Sequence, residues 1–169
     1  MTPDSVPGRF AYNEDHEAFR QTVRSFLQKE GVPHVGEWEQ NRLVPKEFWR
    51  KAGEIGMLCP TVPEEYGGLG LDFGYNAIVD EEMSYIGVPA GFSLQSDIVC
   101  GYLEAYGSEE QKKQWLPRLV SGETITAIAM TEPGTGSDLQ AIRTSAKKDG
   151  NHYVVNGSKT YITNGQNAD

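Results

Sequence analysis

The stretch Ala129-Met130-Thr131-Glu132-Pro133-Gly134-Thr135-Gly136-Ser137-Asp138 lies where the chain changes character. Upstream, from about residue 13 to 122, apolar residues recur at helical spacing. At about Thr124 the period turns to alternation. Ile125, Ala127 and Ala129 point one way, and Thr126, Ile128 and Met130 the other. The segment therefore reads as a strand ending in a rigid Pro-Gly turn, followed by Gly-Ser-Asp. Gly134 and Gly136 permit positive φ and close approach of a ligand to the backbone. Successive amide N–H groups there can face anionic oxygens. The Thr131 and Ser137 hydroxyls both donate and accept. Glu132 and Asp138 would repel a phosphate, so they are expected to point away or to hold the loop. On local physics alone, the segment is either a ligand-binding loop or an ordinary hairpin turn.

Downstream, Thr144–Lys148 reads as a short strand, Asp149-Gly150 as a turn and His152–Val155 as the return strand. Asn156-Gly157 is a second turn of the type I′ kind. Lys159–Thr163 is the next strand, closed by Asn164-Gly165. This is an antiparallel meander. A few short strands with unpaired edges rarely form a stable sheet, so the sequence reads as cut inside a β-domain.

Upstream, Asn13 caps a first helix with Glu14 and Asp15 in its first turn. Its apolar stripe is Phe19, Val23, Phe26 and Leu27, and Gly31-Val32-Pro33 stops or bends it. A second helix starts with Pro45 in its first position and buries Phe48, Ala52 and Ile55. A third carries Tyr75, Ile78, Val79, Met83 and Ile86, with Glu82 a carboxylate at the stripe edge. A fourth spans Gly91 to Tyr106. The fifth opens with the capping box Ser108…Gln111, buries Trp115, Leu116, Leu119 and Val120, and is expected to kink at Pro117. The fold class is α+β: an all-helical part, residues 1–123, followed by the start of an antiparallel β-domain, residues 124–169.

Composition narrows the function. The 169 residues carry 24 acidic and 15 basic side chains, a net charge of −9. Residues 1–126 hold 20 acidic and 11 basic groups, and residues 127–169 hold four of each. Such an acidic surface does not suit nucleic acid, whose phosphates need Lys and Arg. The apolar runs are too short for a membrane span. Met1-Thr2-Pro3-Asp4-Ser5 carries neither a signal nor a transit pattern, which suggests a cytoplasmic protein. Cys59 and Cys100 are too few for a disulfide framework and are expected as reduced thiols. His16, His34 and His152 share no metal spacing and read as solvated surface residues. No metal site, P-loop, dinucleotide fingerprint or nucleophile elbow is found.

Five stretches in order resemble one family. They are Pro63-Glu64-Glu65-Tyr66-Gly67-Gly68-Leu69-Gly70, Tyr106-Gly107-Ser108-Glu109-Glu110-Gln111, Leu116-Pro117-Arg118-Leu119-Val120-Ser121-Gly122-Glu123, Ala129–Asp138, and Asn156-Gly157-Ser158-Lys159-Thr160-Tyr161-Ile162-Thr163-Asn164-Gly165. Together they resemble the acyl-CoA dehydrogenases, and the Ala-Ile-Ala-Met run is most similar to the long-chain branch. The resemblance implies a helical domain, a middle β-domain and a C-terminal helical bundle absent from these residues. It implies FAD as cofactor, acyl-CoA as substrate, electron-transfer flavoprotein as partner, and a homodimer or homotetramer. It implies α,β-dehydrogenation to a trans-2-enoyl-CoA in fatty-acid β-oxidation. By position, Ile128, Met130, Thr131, Gly136, Ser137, Tyr161, Ile162 and Thr163 match flavin-contacting residues. Ser137 also matches a substrate contact, and Gly91, Leu94 and Ile98 match helix positions lining the acyl pocket. The family's catalytic glutamate belongs to the missing bundle, so no catalytic residue is expected here. The alternative is a non-catalytic module that binds acyl-CoA or a partner.

Overall fold

The structure, a computed structural model, describes residues 11–169; the Met1–Ser5 stretch lies outside them. Six α-helices precede a two-stranded hairpin, in keeping with the α+β expectation.

Helix α1 (Glu14–Phe26) starts as the capping rule demands. Asn13 Oδ1 accepts from His16 N at 2.9 Å, and His16 Nδ1 accepts from Asn13 N at 3.2 Å. That arrangement overturns the reading of His16 as a solvated residue. It is 3% exposed, and its Nε2 lies 3.0 Å from Asp72 Oδ1. Because Nδ1 accepts, Nε2 carries the proton and donates; with both nitrogens satisfied, a neutral imidazole can be buried. His34 and His152 are exposed.

At Gly31-Val32-Pro33 the chain bends without becoming loop. A π-helical turn (Leu27–Gly31) passes into a 3₁₀ turn (Val32–His34) and a further helix, α2 (Val35–Asn41). Helical periodicity in α2 is weak because only Trp38 is buried. Helix α3 (Lys46–Glu54) is preceded by Pro45, one position earlier than expected, and buries Phe48, Trp49 and Ala52. The following loop is part of the core: Met57, Cys59 and Val62 are fully buried and Leu58 is 1% exposed.

Helix α4 (Phe73–Ile86) is capped by Asp72, whose Oδ1 accepts from Gly74 N at 2.7 Å. Glu82 is not at the edge of its stripe but inside, 1% exposed. Arg24 approaches it through Nε and Nη2, both at 2.7 Å, and Arg20 Nη1 lies at 3.1 Å. Two guanidiniums from α1 make that burial tolerable, since a buried charge needs pairing. They are also the chief cause of Glu82's lowered pKa, Arg24 first.

The fourth helix is not uniform. Leu94–Val99 forms a π-helical segment, followed by α5 (Cys100–Tyr106). The wider turn presents three consecutive polar residues to three neighbours. Gln95 Nε2 donates to Leu119 O, Ser96 Oγ accepts from Cys59 N, and Asp97 Oδ1 accepts from Asn76 Nδ2. Helix α6 (Glu109–Val120) shows both capping-box bonds between Ser108 and Gln111 and runs through Pro117 as one element. It ends at Gly122, whose φ of +69° and 2.4 Å approach to Trp49 O leave no room for a side chain.

Beyond Gly122 two expected strands are absent. Residues 124–130 form no ladder, and Thr124 and Ile125 are buried side by side while Met130 is 48% exposed. Side chains take the backbone groups that a neighbouring strand would use. Thr126 N donates to Gln95 Oε1, Thr126 O accepts from Asn164, and Ile125 N donates to Asp169 Oδ2. Lys159–Thr163 is likewise not a strand: Tyr161 and Asn164 have φ of 54° and 62°, which breaks the extended geometry. The sheet consists of β1 (Ser145–Asp149) and β2 (His152–Asn156), antiparallel, with Asp149 opposite His152 across Gly150-Asn151. Every residue of the hairpin strands is exposed.

Candidate functional site

The loop singled out by sequence is built around Glu132. Its N–H and C=O exchange bonds with Thr135 at 2.9 and 3.0 Å, closing the Pro133-Gly134 turn. Its carboxylate turns inward, 7% exposed, and accepts from Arg143 N at 2.8 Å, Thr144 N at 2.9 Å and Lys159 Nζ at 2.9 Å. The Thr144 hydroxyl beside it, the Arg143 N–H and the Lys159 ammonium hold its pKa down to about 2. Asp138 holds the loop's far end through Gln140 N. Both acids thus brace the loop, as expected.

This bracing presents the remaining residues to solvent. Gly136, Ser137, Met130, Tyr161 and Thr163 are exposed, while Ile128, Thr131 and Ile162 are half-buried. A Cβ on Gly134 or Gly136 would meet nothing within 4 Å, so the backbone is approachable there.

The two arms meet. Thr160 N donates to Thr131 O at 3.0 Å, and Lys159 Nζ donates to Met130 O at 2.9 Å. Tyr161–Thr163 therefore follow directly on the contact with Met130-Thr131. Asn164 joins this pair to the helices, donating to both Gly91 O and Thr126 O at 3.1 Å. Gly91 is so close that a Cβ would sit 2.6 Å from Thr163 Cγ2. Gly91 is thus gathered with Thr163; Leu94 is half-buried and Ile98 is 45% exposed on the π-helical segment. No described hydrogen bond ties Ser137 to Tyr161–Thr163. A cleft of about 520 Å³ opens beside this junction, lined among others by Trp38, Arg42, Trp49, Tyr161 and Ile162.

Sequence reasoning missed Lys159, Gln95 and Asn164 as organisers. For Asn164 the Asn-Gly pair was a signal, because Asn tolerates positive φ. Gln95 offered none, since its partners lie 24 and 31 residues away.

Comparison with known proteins agrees with this arrangement. Residues 13–123 match the acyl-CoA dehydrogenase N-terminal domain, and residues 127–169 match the acyl-CoA dehydrogenase middle domain. The chain belongs to the acyl-CoA dehydrogenase family. Among curated relatives, the long-chain specific acyl-CoA dehydrogenase of Sus scrofa mitochondria is 51% identical over 158 residues, covering 93% of this chain and 37% of that protein. Among solved structures, an acyl-CoA dehydrogenase from Geobacillus kaustophilus superposes with a TM-score of 0.90 at 53% identity, covering 94% of this chain and 42% of that one. A glutaryl-CoA dehydrogenase from Mycobacterium smegmatis in complex with FADH2 gives 0.84 at 33% identity, over 94% and 41%. The chain thus spans well under half the length of these relatives.

Proposed function

We propose that the whole protein is an FAD-dependent acyl-CoA dehydrogenase acting on long-chain acyl-CoA, with electrons leaving to an electron-transfer flavoprotein. The observation that carries this reading is the junction of Met130-Thr131 with Thr160–Thr163, with Gly91 packed against Thr163. The same segments that resemble the family's flavin and acyl contacts are adjacent in space. The residues present fit one wall of a flavin site. Met130 and Tyr161 offer exposed apolar and aromatic surface, 48% and 92% exposed, for a planar ring to cover. Thr131, Ser137 and Thr163 supply hydroxyls, and Gly134-Thr135-Gly136 leaves backbone N–H groups approachable. When bound, a flavin supplies a two-electron acceptor for the hydride lost from the acyl β-carbon.

The long-chain assignment rests on likeness to long-chain relatives and on Gly91, which leaves volume that a larger side chain would fill. Each additional buried methylene contributes about 0.8 kcal/mol while room remains. The test is kcat/KM on the full-length protein from butyryl- to palmitoyl-CoA, with flavin bleaching as the binding readout. A maximum at long acyl chains is expected. A maximum at four to eight carbons would refute the long-chain assignment, and failure of every acyl-CoA to bleach bound flavin would refute the activity.

A further inference from the structure

The two cysteines lie 41 residues apart in sequence but face one another in the core, with Cys59 Sγ and Cys100 Sγ 2.8 Å apart. Both are completely buried and both are free. Cys59 sits in the buried loop between α3 and α4, in the left-handed conformation, φ 49°. That conformation is costly for a residue with a Cβ, so the surroundings must hold it. They do: Cys59 N donates to Ser96 Oγ at 3.0 Å, and Cys59 O accepts from Val62 N at 3.0 Å. Cys100 is the first residue of α5, directly after the π-helical segment.

We propose that Cys59 and Cys100 are an oxidisable pair, a modification site at which a disulfide links the buried loop to the start of α5. The oxidant is a low-molecular-weight disulfide such as glutathione disulfide. One cysteine, as thiolate, attacks a glutathione sulfur; a protein–glutathione bond forms and one glutathione thiolate leaves. The second cysteine then attacks the protein sulfur of that mixed disulfide and releases the second glutathione. Two protein S–H bonds and one glutathione S–S bond are lost. One protein S–S bond is gained, and two protons end on two glutathione thiols.

Geometry favours the product and burial slows the route. The sulfurs need only a short approach to reach bonding distance of about 2.05 Å. Attack needs a thiolate, and the neighbouring Cys59 together with burial pushes the Cys100 thiol up, so the closed protein reacts slowly. Oxidation therefore proceeds while the loop is open, during folding or local unfolding. The finished bond ties down one side of the small cavity bordered by Met57, Asn76, Asp80, Phe92, Ser96 and Asp97.

The experiment refolds the full-length protein with glutathione disulfide, maps its peptides by mass spectrometry and measures its thermal midpoint with and without dithiothreitol. A linked Cys59–Cys100 peptide two hydrogens lighter is expected, with the midpoint raised by several degrees. Oxidation of the native protein should be slower than during refolding by about tenfold or more. Cys100→Ala should instead leave glutathione on Cys59 with no rise in midpoint. If refolding yields no soluble protein, prolonged incubation of the native protein with the same oxidant gives the same mapping. Free thiols or separate glutathione adducts at both positions, by either route, would overturn the proposal, as would a linked protein that melts no higher than the reduced one.

Discussion

Glu132 shows how one carboxylate organises a loop meant for something else. It sits between two glycine-bearing turns, yet its oxygens are spent on Arg143 N, Thr144 N and Lys159. Its folded pKa of about 2 lies below the usual carboxylate range. A depressed pKa means that the stability it contributes is present above about pH 4.3 and is lost as pH falls toward 2. Glu132→Gln is therefore expected to lower the thermal midpoint at pH 7 and to flatten the acid limb between those values. Melting curves taken from pH 7 to pH 2 check this; parallel curves for the two proteins would refute it.

At the scale of elements, α1 and α4 are joined by charge as well as by apolar contact. Glu82 is 1% exposed between Arg20 and Arg24, and removing one partner of a buried pair typically costs about 3–5 kcal/mol. Glu82→Gln is expected to lose stability of that order in urea unfolding, with the slope unchanged. A loss below about 1 kcal/mol, the range of exposed pairs, would show that the network is solvated. Asp80 on α4 works in the other direction. Burial first, and then Asp97 on the π-helical segment, raise it to about 7. A raised pKa gives stability that is full below about pH 3.9 and falls as pH rises through 7. Asp80→Asn should remove that decline, so the variant gains on the parent between pH 5 and 8. An unchanged difference between the two across that interval would show that Asp80 titrates normally.

Over the whole molecule, the helices and the β-segment are held together at few points. Asn164 bonds both Gly91 O and Thr126 O, and Gln95 bonds both Leu119 O and Thr126 N. The exposed hairpin adds no burial of its own. Asn164→Ala is expected to release residues 159–165 from Gly91, seen as faster amide exchange there while α1 and α4 keep their protection. Equal acceleration throughout would mean that the contact supports global stability instead.

The sequence by itself determined the parts governed by neighbours in the chain. The caps at Asn13 and Ser108, the helical stripes, the Asp149–His152 hairpin and the bracing acids Glu132 and Asp138 follow from interactions a few residues apart. The family was legible for the same reason, because its motifs are local runs. Only the tertiary structure decided what depends on partners far away. His16 and Glu82 read as surface groups until Asp72 and the two arginines satisfied them. Residues 125–130 alternate like a strand, but a ladder needs a second backbone, and Gln95, Asn164 and Asp169 claim those groups first. The facing of Cys59 and Cys100 belongs to the same class: their spacing says nothing, and packing of the buried loop against α5 brings the sulfurs together.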